Sequence, residues 1–412
     1  MKAFVSLVLT LSHLSTLCAG DLTYSASQLT HGPKHHFFGY IGQSLTIPWN
    51  QSGRFILCLE TDFHDHMPRP NEPAKVCVVD TKDGNRIIPL DESRAYNFQQ
   101  GTMFYWNPAS AEHQFFFNDR EPDTGKVFTT LYDLDHRKRV HEYRFEETPV
   151  GNSGVAPNGE SFLAINYARM DRLRPVTGYP EAFDWTVDRS APSDDGIFLV
   201  DVESGSKTLL VSFQEMRDRF IGRISDVDKA SLYINHTLWN RNSDRIYFFL
   251  RGRLDKKAMW VNTPCSIHPD GTNLTLHETF IGGHPEWGEG NRVIGRQEDR
   301  QVVYDVDRKQ IVDEIGQPGD FPNPEGDISF SPDGRFLVNG FGVPGGKNDY
   351  VIFRMEDGTH IRTESFSRGP YRSGELRIDP APRWNRESNR ILIPNWCEDD
   401  TRQMFILSLS EN

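Results

Sequence analysis

Two histidines recur in one setting. His236-Thr237-Leu238-Trp239 and His284-Pro285-Glu286-Trp287 each put an imidazole three residues before a tryptophan, and Asp327 stands three before Phe330. Two imidazoles and a carboxylate can hold a divalent cation such as Zn, Mn or Ca; otherwise they are polar groups that hydrate a channel. A second concentration runs from Asn166 through Arg169, Arg172 and Arg174 to Tyr179. The planar guanidinium matches a carboxylate or sulfate, while the same arginines can equally hold a lid through Asp171, Asp194 or Asp195. A tyrosine with a phenol pKa of about 10 works as a base at neutral pH only when nearby cations favour its phenolate. A third cluster, Lys34-His35-His36-Phe37-Phe38-Gly39-Tyr40, can stack on sugar rings or bind a proton or metal. Phe117-Asn118-Asp119-Arg120 is expected to face the same mouth.

The elements that must position these residues are legible from a repeat. Trp49, Trp106, Val155, Trp239, Trp287, Phe330 and Trp384 each end an apolar stretch and open a polar turn, as in Phe330-Ser-Pro-Asp-Gly-Arg-Phe and Trp384-Asn-Arg-Glu-Ser-Asn-Arg-Ile. Gly, Asn and Asp suit the positive φ of a tight hairpin. The anchors are separated by 57, 49, 84, 48, 43 and 54 residues. A four-stranded propeller blade takes roughly 40 to 50 residues, so the pattern predicts an all-β, seven-bladed β-propeller with four-stranded antiparallel blades. The long interval carries an insertion, placed at 169–195. The position three before each anchor enters the innermost strand: Thr46, Met103, Asn152, His236, His284, Asp327 and Ala381. Leu22–Gln28 is expected to close the last blade, and Phe213–Phe220 to form one short helix.

Lys2, an apolar run from Ala3 to Leu17 and the small residues Ala19-Gly20 read as a secretory signal peptide over 1–20. The remainder, 21–412, reads as a single propeller domain, secreted or periplasmic. A formal net charge of −13 argues against nucleic acid or an anionic membrane as a partner of the whole surface. No membrane span is predicted, and a monomer is expected. Cys58 and Cys77 fall on neighbouring predicted strands, which permits a disulfide.

These motifs together resemble the secreted propeller polysaccharide lyases, oligogalacturonate lyase and the propeller ulvan lyases, over essentially the whole mature chain. The resemblance rests on Gly32 to Tyr40, Phe117 to Arg120, Asn166 to Tyr179, the His-x-x-Trp pairs, Pro382-Arg383-Trp384 and Thr401-Arg-Gln-Met-Phe405. It implies β-elimination of an acidic, uronate-containing polysaccharide or oligosaccharide. A cation or arginine neutralises the C6 carboxylate, a base removes the C5 proton, and an acid protonates the leaving O4. The implied catalytic set is His236, Tyr179, Arg174 and Arg169. Arg172, His35, His36, Tyr40, Asn118, Arg120 and Asn166 would bind substrate, and His236, His284 and Asp327 would hold the metal. The chain departs from the family where histidines tend to stand at the positions of Asp327 and Ala381. The competing reading is a non-catalytic propeller that binds a glycan or protein in the cell envelope. The absence of a Gly-x-Ser-x-Gly elbow disfavours an α/β-type serine hydrolase.

Overall fold

The computed structural model describes residues 21–39, 45–254 and 261–411. The expected leader therefore lies outside the described residues. Seven antiparallel sheets follow one another around a ring. Six have four strands. The sixth blade, built on Asp327–Phe330, Phe336–Val343, Lys347–Arg354 and His360–Arg362, adds the short strand Phe366–Ser367. Leu22–Gln28 is the outermost strand of the last blade, in continuous register with Arg402–Glu411 from Leu22↔Glu411 to Gln28↔Phe405. Joining the chain's beginning to its end closes the ring and protects its sheet edges.

The anchors explain the repeat physically. Each tryptophan anchor is buried between sheets, and in all but Trp49 the indole N–H reaches the carbonyl just before the preceding blade's anchor. Trp106 Nε1 donates to Pro48 O at 2.7 Å, Trp239 to Gly154 O at 3.1 Å, Trp287 to Leu238 O at 2.8 Å and Trp384 to Ser329 O at 2.9 Å. Val155 and Phe330 have no indole. At the junction leading to Phe330, Glu286 Oε2 accepts the Phe330 N–H at 2.6 Å. The Trp49 indole finds no acceptor among the described residues. That junction is tied by His36 Nδ1 to Gln403 Oε1 at 3.0 Å and by Arg402 N–H to His35 Nδ1 at 3.0 Å.

The turns follow their local chemistry. Gly334 takes φ +77° in the Pro-Asp-Gly hairpin. The aspartates that end the outer strands accept backbone N–H groups of their own turns, as Asp80 does from Lys82 and Asp201 from Ser204. Cys58 and Cys77 are direct cross-strand partners, yet both remain buried free thiols rather than a bridge. Phe213–Phe220 is helical and capped by Ser212. No helix among the described residues is long and apolar enough to cross a membrane.

The long segment between Ser161–Ile165 and Gly196–Asp201 of the third blade carries a helix, Tyr167–Leu173, and a single 3₁₀ turn, Pro175–Thr177. Asn166 caps the helix by accepting the Arg169 N–H at 2.9 Å. Gly178 lets the segment fold back on itself, since a Cβ there would lie 2.2 Å from the Asp171 backbone. Arg120 fastens the returning chain through Pro180 O.

Candidate functional site

The offset shared by the two histidines has a backbone cause. Both inner strands are irregular there, with register shifts between Asn235 and Leu238 and between Gly282 and Glu286. His236 takes φ +59°, His284 +51°, Met103 +56° and Ala381 +46°. A bulge of this kind re-aims a side chain, and left-handed φ in a non-glycine residue is a strained state found at functional sites. The His236 and His284 rings stand 5.3 Å apart at 77°. His284 Nδ1 is 2.9 Å from Asp327 Oδ1, while Asp327 Oδ2 accepts the Ala381 N–H at 2.9 Å. Burial raises the Asp327 carboxyl, but His284 more than offsets this and holds it below the usual range. Burial, then the charges of His284, Arg251 and Arg174, hold His236 well below the ordinary imidazole value. It is therefore held neutral.

The three insertion arginines have separate fates. Arg169 is buried and gives its guanidinium to Leu232 O (2.6 Å), Thr186 Oγ1 (2.9 Å), Arg189 O (2.9 Å) and Ser190 O (2.5 Å). It clamps the insertion to the fourth blade and does not face a substrate. Arg172 pairs with Asp184 at 2.9 Å. The Arg174 guanidinium makes no hydrogen bond or ion pair to any described residue, while the residue's backbone N–H caps the helix at Met170 O. It lies within electrostatic reach of His236, Tyr233, Arg251, Arg253, Arg377 and the carboxylate of Asp379. Arg251 acts on it from the fourth blade, donating to Asn262 Oδ1 at 3.0 Å and lying 5.4 Å over the Phe249 ring. Burial and the facing Arg174 press Arg251 down to about 10, still a cation at neutral pH.

Other expected contacts are corrected by their surroundings. Tyr179 is buried, stacked on Tyr167 at 4.3 Å, with its hydroxyl accepting from Asn118 Nδ2 at 2.9 Å. Burial raises its phenol, away from a role as base at neutral pH. Asn118 is fully used by Asn152, Thr129 and Tyr179. Arg120 is buried against Pro180, and Asn166 Nδ2 bonds Asp184 and Asp195. These residues build the insertion's foundation. His36 spends both ring nitrogens on Gln403 and Glu60. His35 stacks on Trp396 at 5.6 Å, and burial, then Arg402, lowers its pKa. Tyr40 lies outside the described residues.

The residues expected to hold a metal are not gathered as a ligand set. No three His, Cys, Asp or Glu side chains among the described residues gather to hold an ion. Asp327 spends one oxygen at His284 and the other at the Ala381 N–H, and Ala381 has no donor side chain. The donor set therefore does not fit a divalent cation. Sequence reasoning missed Arg251 and Tyr233. They are cross-strand partners, and Tyr233 precedes His236 by three residues on the same strand. An arginine at the far end of the strand that follows the first His-x-x-Trp anchor was the available signal. A separate cavity of about 270 Å³ is lined by Leu45, Ile47, Tyr105, Trp106, Val155 and Arg386 among others. It lies by the turns that follow the anchors, away from the histidines, and is mostly apolar.

No family profile matches the chain, and no curated protein matches its sequence. Solved structures do. A structure described as oligogalacturonate lyase in complex with manganese is similar over 96% of this chain and 99% of its own, with a TM-score of 0.63 and 14% identity. An oligogalacturonate lyase from Vibrio parahaemolyticus is similar over 95% and 98%, with a TM-score of 0.60 and 13% identity. At this identity the likeness is one of fold: the chain is a seven-bladed β-propeller built as these lyases are.

Proposed function

We propose that this protein is an exported carbon–oxygen lyase that cleaves a uronate-containing oligosaccharide or polysaccharide by β-elimination. The observation that carries the reading is a neutral, partly exposed His236 in the field of Arg174 and Arg251, neither of which forms an ion pair with a carboxylate among the described residues, although Asp379 acts on Arg174. In an acidic protein such a pair selects an anion. Arg174 and Arg251 bind the C6 carboxylate and stabilise the enolate-like intermediate. His236 takes the C5 proton, the C4=C5 double bond forms, and the C4–O4 bond breaks. The departing O4 takes its proton from solvent at the partly exposed His236 face of the site. His284, held against Asp327, packs on the His236 ring and orients it. The fold shared with two oligogalacturonate lyases supports this class, and the leader expected from the sequence of 1–20 is in keeping with action outside the cytoplasm.

The test is ultraviolet absorbance of unsaturated product against a panel of uronate polysaccharides, with His236→Ala as control. Absorbance that grows with wild type and is lost in the variant supports the reading. Binding of oligouronide by the wild type with no absorbance on any member of the panel would overturn it in favour of a non-catalytic glycan-binding propeller.

A further inference from the structure

Arg383 lies on the innermost strand of the last blade, two residues after Ala381 and one before the anchor Trp384, and is buried. Its charge acts on Tyr105 of the second blade, His236 of the fourth, Glu286 of the fifth and Asp327 of the sixth. Its strand meets the sixth blade directly, through the Ala381 N–H to Asp327 Oδ2 at 2.9 Å and the Trp384 indole to Ser329 O at 2.9 Å, which sets Arg383 on the inner strands beside Asp327. Two of the groups in its field are buried carboxylates on adjacent blades. Glu286 and Asp327 also accept backbone N–H groups, from Phe330 at 2.6 Å and Ala381 at 2.9 Å. Buried carboxylates need a compensating charge. A guanidinium already in their field both supplies it and repels a second cation. The donor set points the same way, since Asp327 is spent and Ala381 offers nothing.

We infer that Arg383 is a cation built into the chain beside the two buried carboxylates of this channel, so that the site works without a divalent metal. The inference concerns the same site as the lyase reading but does not depend on it. Ala381 matters to the test because it shares the left-handed φ of His236 and His284. An imidazole placed there enters the same ring of positions.

The experiment is titration of the full-length protein with Mn²⁺ after chelation, followed by calorimetry and thermal unfolding, neither of which needs a substrate. The wild type is expected to take up no stoichiometric Mn²⁺ and to unfold at the same temperature with chelator, Mn²⁺ or neither. The paired substitution Ala381→His with Arg383→Gln is expected to gain Mn²⁺ affinity by about tenfold or more over wild type, equivalent to about 1.4 kcal/mol. Its thermal unfolding should become Mn²⁺-dependent. Arg383→Lys, which keeps the charge, is expected to remain indifferent to metal. Uptake of one Mn²⁺ per wild-type chain, abolished by His284→Ala, would overturn the inference. If the paired variant does not fold, the wild-type titration and Arg383→Lys decide alone. Failure to find a cleaved polysaccharide would leave these readouts unaffected.

Discussion

Arg169 and Arg174 stand five positions apart and illustrate how little a residue type says about its use. Arg169 satisfies the buried Leu232 carbonyl, the Thr186 hydroxyl and the carbonyls of Arg189 and Ser190 in the insertion. Arg169→Ala should destabilise by about 3 to 5 kcal/mol, because it orphans those groups, and a urea titration would show it. Arg174→Ala and Arg251→Ala should leave the unfolding midpoint nearly unchanged. Each should weaken oligouronide binding roughly tenfold to a hundredfold, the worth of a charged hydrogen bond, read by calorimetry. Asp195 gives a pH signature. Burial pushes its carboxyl up to about 7, although Arg169 and the Asn166 side chain oppose this. Asp171 is pushed up to about 6, by burial first and then Glu375. An acid whose folded pKa exceeds its unfolded value binds a proton on folding, so its contribution is present at low pH and is lost as pH rises. Thermal stability should fall between about pH 4 and 7 on this account. Asp195→Asn should flatten the decline, and an unchanged slope would remove Asp195 as its source.

At the scale of elements, the bulge that aims His236 is paid for in strain. Glycine adopts φ +59° freely, whereas alanine keeps the penalty. His236→Gly is therefore expected to be more stable than His236→Ala by about 1 kcal/mol, measured by chemical denaturation; equal stabilities would mean the bulge stores no strain. The anchors make a second case. Trp287→Phe keeps an aromatic ring in the same slot but leaves Leu238 O without its donor. The expected cost is about 1 to 3 kcal/mol. A variant as stable as wild type would show that the indole contributes by volume alone. The anchor positions were legible in the sequence because turn chemistry is local and the period is regular. The indole-to-neighbour bond was not, because its acceptor belongs to another blade.

For the whole molecule, the decisive contact is between the two ends of the described chain. Leu22–Gln28 pairs along seven positions of Arg402–Glu411 and buries Leu22 beside the last blade. Removing 22–28 should expose that strand as an unpaired edge. The outcome expected is a lower denaturation midpoint together with association seen by size-exclusion chromatography. A monomer of unchanged midpoint would show that the ring closes without this strand.

Repetition is written along the chain, so the seven blades, the hairpin turns, the insertion and the common offset of His236 and His284 could all be read from residue order. Each depends on neighbours a few positions away or on a period that survives substitution. Convergence is not written there. Arg174 and Arg251 meet because the insertion folds back over the third and fourth blades, and Arg383 reaches Glu286 and Asp327 because a ring brings distant strands to one axis. Polar residues such as Asn118, Arg120 and Tyr179 look the same in sequence whether they face a ligand or underpin a loop. Only the tertiary structure distinguishes the two, because burial and hydrogen-bond partners come from segments far along the chain.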